Sequence, residues 1–380
     1  MDLHSKLPNV GTTIFTVMSA LANEHKAVNL SQGFPDFDCS PDLIQLVNNA
    51  MKKGLNQYAP MSGVKELREQ ICQKSETQYG AVYHPEKEVT VTSGGSEAIF
   101  SAIAAVVHPG DEVIVFEPAY DLYRPTIELF GGITKTIRLD APEFSPDWNM
   151  VRKQISHKTK LIILNNPNNP ATSIWKEDDF RELSKIVESS EILLLSDEVY
   201  EHIVFDGKKH LSVSQFPILK ERSFIIASFG KLYHITGWKV GYCLAPESLT
   251  KEFRKVHQFN VFCVNTAVQH GIAAFMNRKE EYLKLSDFFQ EKRDFFMSGL
   301  SQTGFKVLKP EGTYFLLADY SEISDLNDIE FSKWLTREFG VAVIPVSAFY
   351  NVPPDQQLVR FCFAKKQETL EKALEKLIKI

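Results

Sequence analysis

Four short runs of this chain are apolar along almost their whole length, Glu112–Phe116, Lys160–Leu164, Glu191–Leu195 and Ser223–Ala227, and a fifth, Glu88–Thr92, is β-branched at four of its five positions. Each is too short to be a buried helix. Longer segments with helical spacing lie between them, for example Ser96–Val107 and Glu177–Glu188. A strand with one wet face alternates in polarity, whereas a continuously apolar strand is covered on both faces. The alternation therefore predicts an α/β unit, a largely parallel sheet with helices on either side. Ligand sites in such sheets lie beyond the carboxyl ends of the strands. The polar clusters of this chain follow directly on its apolar runs.

The last hundred residues have another pattern. Glu281–Leu300 reads as a long amphipathic helix, and strands are expected at Thr313–Leu317, Val341–Ile344 and Leu358–Cys362. A helix from Glu368 closes the chain. With 380 residues, enough for two to three domain-sized units, this predicts a second, smaller α+β domain.

Charge excludes several classes of partner. Lys+Arg 42 against Asp+Glu 48 gives a net −6, with no long basic run, so neither nucleic acid nor an anionic membrane is expected. Cys39, Cys72, Cys243, Cys263 and Cys362 form no Cys-x-x-Cys pair, as reduced thiols of a cytosolic protein do not. No His-Glu-x-x-His helix is present, so no metal is expected. The N-terminus lacks the apolar core of a signal peptide. Apolar runs such as Ile192–Leu195 fall far short of the roughly 18 residues of a membrane helix. A soluble, cytoplasmic protein is expected.

Chemistry concentrates after the strands. Lys231 lies in Ser228-Phe-Gly-Lys231, and Asp197-Glu-Val-Tyr200 follows an aliphatic run. An amine there can form a Schiff base, an acid can keep a pyridine nitrogen protonated, and a phenol can bond a ring oxygen. Those are the protein's tasks around pyridoxal phosphate. Any one lysine after a strand is more often a surface residue; the combination carries the reading. Thr92-Ser-Gly-Gly-Ser96 opens a helix and suits an anion at its N-terminus, or is simply a capped turn. A Walker loop ending at Lys231 would need glycine at 225 and Ser/Thr at 232, where Ile225 and Leu232 stand. Asn165-Asn-Pro-Asn-Asn169-Pro is either a plain turn or a loop aiming Asn169 at a ligand. Arg360, between Val359 and Phe361, matches either a substrate carboxylate or an internal acid.

Together with Gly33-Phe-Pro-Asp, Asn56-Gln-Tyr58, Thr236-Gly-Trp-Lys239-Val-Gly and Arg360-Phe-Cys-Phe, these motifs resemble the class I/II aminotransferases of pyridoxal phosphate fold type I. The likeness runs from about Val10 to Lys366 and is strongest toward the methionine, glutamine–phenylpyruvate and kynurenine aminotransferase branch. It implies a seven-stranded large domain over residues 41–279 and a small domain from 1–40 and 280–380. Lys231 would carry the cofactor, with Asp197 on its ring nitrogen and Tyr200 and Asn169 on its ring oxygen. Gly95, Ser96, Ser228 and Lys239 would hold the phosphate, Tyr58 would reach in from a second subunit of a homodimer, and Tyr120 would stack on the ring. Gly33, Asn169 and Arg360 would bind the carboxylate of an amino acid or 2-oxo acid. Phe15 and Phe262 stand where the branch places substrate-contacting aromatics, and with Phe34 and Phe37 they suit methionine or aromatic donors. A neighbouring activity is β-lysis of cysteine conjugates. A regulatory module is disfavoured, because the likeness leaves no length for a DNA-binding domain. Lysine at 239 replaces the arginine of most relatives, and Ala171-Thr172 replaces Thr-Gly.

Overall fold

The computed structural model describes residues 4–354 and 356–380. Strand β1 (Val28–Asn29) belongs to a small sheet near the chain ends. The next seven strands are β2 (Val89–Thr92), β3 (Glu112–Glu117), β4 (Ile133–Arg138), β5 (Thr159–Asn165), β6 (Leu193–Asp197), β7 (Ser223–Ser228) and β8 (Gly241–Leu244). They form one seven-stranded sheet ordered β2-β8-β7-β6-β5-β3-β4. Strands β3 to β7 run parallel, and β8 is antiparallel to both β7 and β2.

Successive strand residues face opposite sides of a sheet, and here both sides are dry. Val113 and Val115 of β3 join one buried cluster while Ile114 and Phe116 join another. β5 divides likewise, Leu161 and Ile163 against Ile162 and Leu164. The five expected strands are present within two residues of their predicted ends. β4 and β8 were not anticipated. β4 lies at the sheet's edge, where only Ile137 is fully buried, so its sequence Ile-Thr-Lys-Thr-Ile-Arg carries no apolar run.

Beyond residue 300 come β9 (Lys306–Leu308), β10 (Phe315–Asp319), β11 (Val341–Ala342), β12 (Ile344–Pro345) and β13 (Leu358–Cys362). Four of them form an antiparallel sheet ordered β12-β13-β10-β9. Three expectations need correction here. The strand Val341–Ile344 is two strands, because β11 pairs with β1 and β12 with β13. The helix expected over Glu281–Leu300 is broken at Lys284, where ψ is −2°, into Glu280–Leu283 and Leu285–Leu300. The strand expected from Thr313 starts at Phe315, since Thr313 adopts a left-handed φ of +66°. Among the described residues no helix is long and apolar enough to cross a membrane.

Pairing of β1 with β11 brings the segment after Asn29 across β13, where Cys362 N donates to Leu30 O at 2.8 Å. That crossing carries Ser31–Phe34 over the carboxyl ends of the large sheet.

Candidate active site

Three neighbouring parallel strands, β5, β6 and β7, end in Asn165, Asp197 and Ser228. Their ends open into a cavity of about 340 Å³. Of the residues singled out from the sequence, Phe15, Gly33, Gly95, Ser96, Tyr120, Asn169, Asp197, Tyr200, Ser228, Lys231, Lys239 and Arg360 all line it. Phe34 lines it as well. Phe37 does not; it packs on His234 and Phe288 instead. Tyr58 and Phe262 also lie outside, 84% and 43% exposed, with their rings edge to face at 5.4 Å.

The floor of the cavity is dry, and that sets its electrostatics. Asp197 Oδ2 accepts from Tyr123 Oη at 2.6 Å, and Oδ1 accepts from Val199 N at 3.3 Å. Burial nevertheless pushes this carboxyl up to about 6, against the pull of those two bonds and of Lys231. Lys231 Nζ donates to Tyr314 Oη at 2.6 Å and to Gly33 O at 3.0 Å. Burial pulls its amine down to about 8, with Arg360 and Lys239 acting in the same direction. Lys239 is therefore a minor cause beside desolvation. At pH 7 such an amine is neutral about a tenth of the time, against roughly one part in three thousand for an ordinary lysine.

Beside this floor lies a cradle for an anion. Gly94 has a left-handed φ of +77°, and a Cβ there would come within 3.2 Å of Lys239 Nζ. At Gly241 a Cβ would meet Ala227 O at 2.7 Å and Gly95 N at 3.1 Å. Glycine at both positions lets the β2 turn, β8 and Lys239 close together. The helix Gly94–Val106 presents its N-terminus there, beside Ser96 and Ser228. Free N–H groups, a favourable dipole and a cation suit a phosphate. Ser93 N is already engaged by Glu97 Oε2 at 3.0 Å, and Glu97 in turn by His257 and Ser101.

The opposite wall carries Arg360, which is 1% exposed. Its Nη1 donates to Asn169 Oδ1 at 2.6 Å and its Nη2 to Ser31 O at 3.3 Å, while the buried Nε has no partner. The guanidinium lies 3.9 Å from the Phe315 ring centroid, and burial lowers its pKa to about 10. An unused N–H on a buried cation fits an incoming carboxylate. Asn169 spends its oxygen on Arg360, so its amide N–H groups remain as donors. Its backbone is fixed by Asn169 N donating to Asn165 Oδ1 at 2.7 Å. Thr172 takes a left-handed φ of +63°; its N–H bonds Asn168 O, and its carbonyl accepts from Glu311 and Gly312.

Two side chains of the site carried no sequence signal. Tyr123 anchors Asp197, and Tyr314 holds both Lys231 and the Gly33 carbonyl, the latter at 2.5 Å. Tyr314 fell inside the expected strand Thr313–Leu317, where an aromatic is ordinary core composition.

An aldehyde on an aromatic ring with a basic nitrogen and a phosphate would meet Lys231, Asp197 and the glycine cradle in turn. Pyridoxal 5′-phosphate has that set of groups, and the residues present fit it. Residues 25–377 match the family model described as aminotransferase class I and II. A methionine aminotransferase of Escherichia coli is 50% identical over 98% of this chain and 97% of its own length. A kynurenine–oxoglutarate transaminase of Dictyostelium discoideum is 34% identical over 97% of this chain and 94% of its own. A crystal structure of an Escherichia coli protein with methionine aminotransferase function superposes with a TM-score of 0.97 at 48% identity, covering 100% of both chains. This chain belongs to the class I and II aminotransferases.

Proposed function

We propose that this enzyme takes the amino group from methionine and from aromatic amino acids and passes it to a 2-oxo acid in two half-reactions. The observation that carries the reading is one cavity in which a burial-weakened lysine, a buried carboxylate and an arginine with an unused N–H converge. Pyridoxal 5′-phosphate, when bound, supplies the electron sink for the pair released as a Cα–H bond breaks. Asp197, steadied by Tyr123, places negative charge where a ring nitrogen must keep its proton; a cation there would draw the carboxyl back down from about 6. Tyr200 Oη and the Asn169 amide donate toward the ring oxygen. Gly95, Ser96, Ser228 and Lys239 hold the phosphate, and Tyr120 covers the ring face. Arg360, the Asn169 amide and Gly33 grip the substrate carboxylate and so fix which bond at Cα stands over the sink. Lys231, in its neutral form, would take the proton from Cα and return it on the far side of the substrate nitrogen. The dry floor raises its neutral fraction for that task.

Substrate class follows from what lines the wall. Phe15, Phe34 and Phe315 are apolar, and Arg360 is the guanidinium in the cavity. A second carboxylate would therefore enter without a bidentate partner. In single half-reactions, kcat/KM for methionine is expected to exceed that for aspartate by roughly a hundredfold, since an unpaired buried charge costs several kcal/mol. A faster reaction with aspartate would overturn the assignment.

The homodimer is part of the same reading. Tyr58 and Phe262 are aromatic, exposed and paired with each other outside their own cavity, which suits residues lent to a partner's site. Mixing inactive Lys231→Ala chains with Tyr58→Ala chains should restore activity, because a hybrid contains one complete site. No recovery after subunit exchange would count against shared sites.

A further inference from the structure

Four consecutive carbonyls, Ser31 to Phe34, each accept a side-chain donor. Ser31 O takes Arg360 Nη2, and Gly33 O takes Lys231 Nζ and Tyr314 Oη. The carbonyls on either side of Gly33 go to one residue: Lys365 Nζ donates to Gln32 O at 3.3 Å and to Phe34 O at 2.8 Å. Lys365 is 3% exposed, and the Phe34 ring centroid lies 5.0 Å from its charge. A buried ammonium is costly unless its N–H groups are used. Here they are spent on a segment that belongs to no strand or helix.

Packing alone does not hold that segment in place. Gln32 and Phe34 line the reaction cavity on one side and a second hollow, of about 310 Å³, on the other. The strap thus has open space behind it, and Lys365 stands in that space. In front, a Cβ on Gly33 would lie 2.8 Å from Phe315 Cζ, so the strap already sits hard against the substrate wall. Gln32 carries the restraint further: its Nε2 donates to Phe15 O at 3.1 Å and to Ser19 Oγ.

We infer that Lys365 is a positioning residue for substrate: it holds the Ser31–Phe34 strap forward, so that Gly33, Phe34 and Phe15 close on the amino acid, although Lys365 itself does not line the reaction cavity. The inference rests on the proposal that an amino acid binds beside Phe15 and Phe34.

The test compares wild-type, Lys365→Met and Lys365→Arg holoenzymes. The probe is 4-(methylsulfanyl)butanoate, which is methionine without its amine, with binding followed by cofactor absorbance. Lys365→Met should keep its cofactor and bind the probe roughly tenfold more weakly, the scale of one charge-assisted hydrogen bond. The half-saturation for methionine should rise alike, while the limiting half-reaction rate changes less than about threefold. Chymotrypsin should cut after Phe37, the first usable site past the strap because Pro35 blocks the bond after Phe34, in this variant and not in wild type. Lys365→Arg, which can still donate to two carbonyls, should restore all three. Unchanged probe affinity and no cut at Phe37 in Lys365→Met would overturn the inference, as would failure of arginine to rescue. Should the methionine variant not fold, Lys365→Gln is read on the same scale: weakened binding supports the role and wild-type binding refutes it. If wild type itself neither binds the probe nor reacts with methionine, the proposed function falls, and the cleavage pattern still decides the strap.

Discussion

Lys231→Ala is expected to lose transamination by roughly 10⁴-fold or more, since a positioned proton carrier alone contributes about 10²–10⁴ and the amine that captures the cofactor is lost with it. The fold should survive, and its response to pH separates chemistry from structure. Burial lowers the Lys231 amine from 10.5 to about 8 in the folded protein. Below pH 8 the amine is charged in both states and the folded state bears the cost of burying that charge. Above 10.5 it is neutral in both, and the cost is gone. Wild-type apo-protein should therefore gain stability as pH rises from 8 to 10.5, by about 3 kcal/mol at most. The alanine variant lacks this gain, so its melting temperature relative to wild type should be highest below pH 8 and decline across that window. Capture of pyridoxal phosphate by wild-type apo-protein should accelerate through pH 8, where the neutral amine becomes abundant, and methylamine should restore part of the variant's proton transfer. A variant that turned over at the wild-type rate would remove Lys231 from the chemistry. A melting difference that stayed flat with pH would mean the amine is not desolvated.

What the sequence made legible follows the physics that shaped each element. Central strands must be dry on both faces, so β3, β5, β6 and β7 announce themselves as apolar runs. Edge strand β4 has no such constraint and was invisible. β8 was hidden for another reason: its first residue, Gly241, is the last of the Thr236-to-Gly241 motif, and only Tyr242–Leu244 remain to mark a strand. The residues after each strand stood out because polar groups at the end of an apolar run need a reason. Lys231, Asp197, Asn169 and Arg360 come from distant parts of the chain and line one cavity. Tyr123 and Tyr314 could not be found that way, because a tyrosine near an apolar run is ordinary core composition until its hydroxyl is seen on Asp197 or Lys231. Lys365 was equally silent. Its importance lies in which carbonyls it reaches, and that depends on the β1–β11 pairing which joins the chain's two ends.

Arg360→Met should distinguish a substrate-binding arginine from a structural one. Methionine keeps the aliphatic bulk among Phe15, Phe315 and Phe349, whose ring centroids lie 5.4, 3.9 and 5.1 Å from the guanidinium carbon. What disappears is a charge with an unpaired N–H. Removing one member of a buried, hydrogen-bonded charge pair costs about 2–5 kcal/mol, so kcat/KM for methionine should fall by roughly 10²- to 10³-fold. An amine without a carboxylate, 3-(methylsulfanyl)propylamine, never meets Arg360. Its slow half-reaction should change by less than about threefold, the difference between the two donors isolating the carboxylate contact. Arg360→Lys should fall between, because an ammonium keeps the charge but not the fork. The competing role is also on view, since Arg360 caps Asn169 Oδ1 and Ser31 O. If that structural duty dominated, Arg360→Met would disorder the wall for every ligand, and both donors would lose the same factor. Equal losses would therefore remove Arg360 from substrate recognition and leave it as a clamp between the Asn169 loop and the Ser31–Phe34 strap.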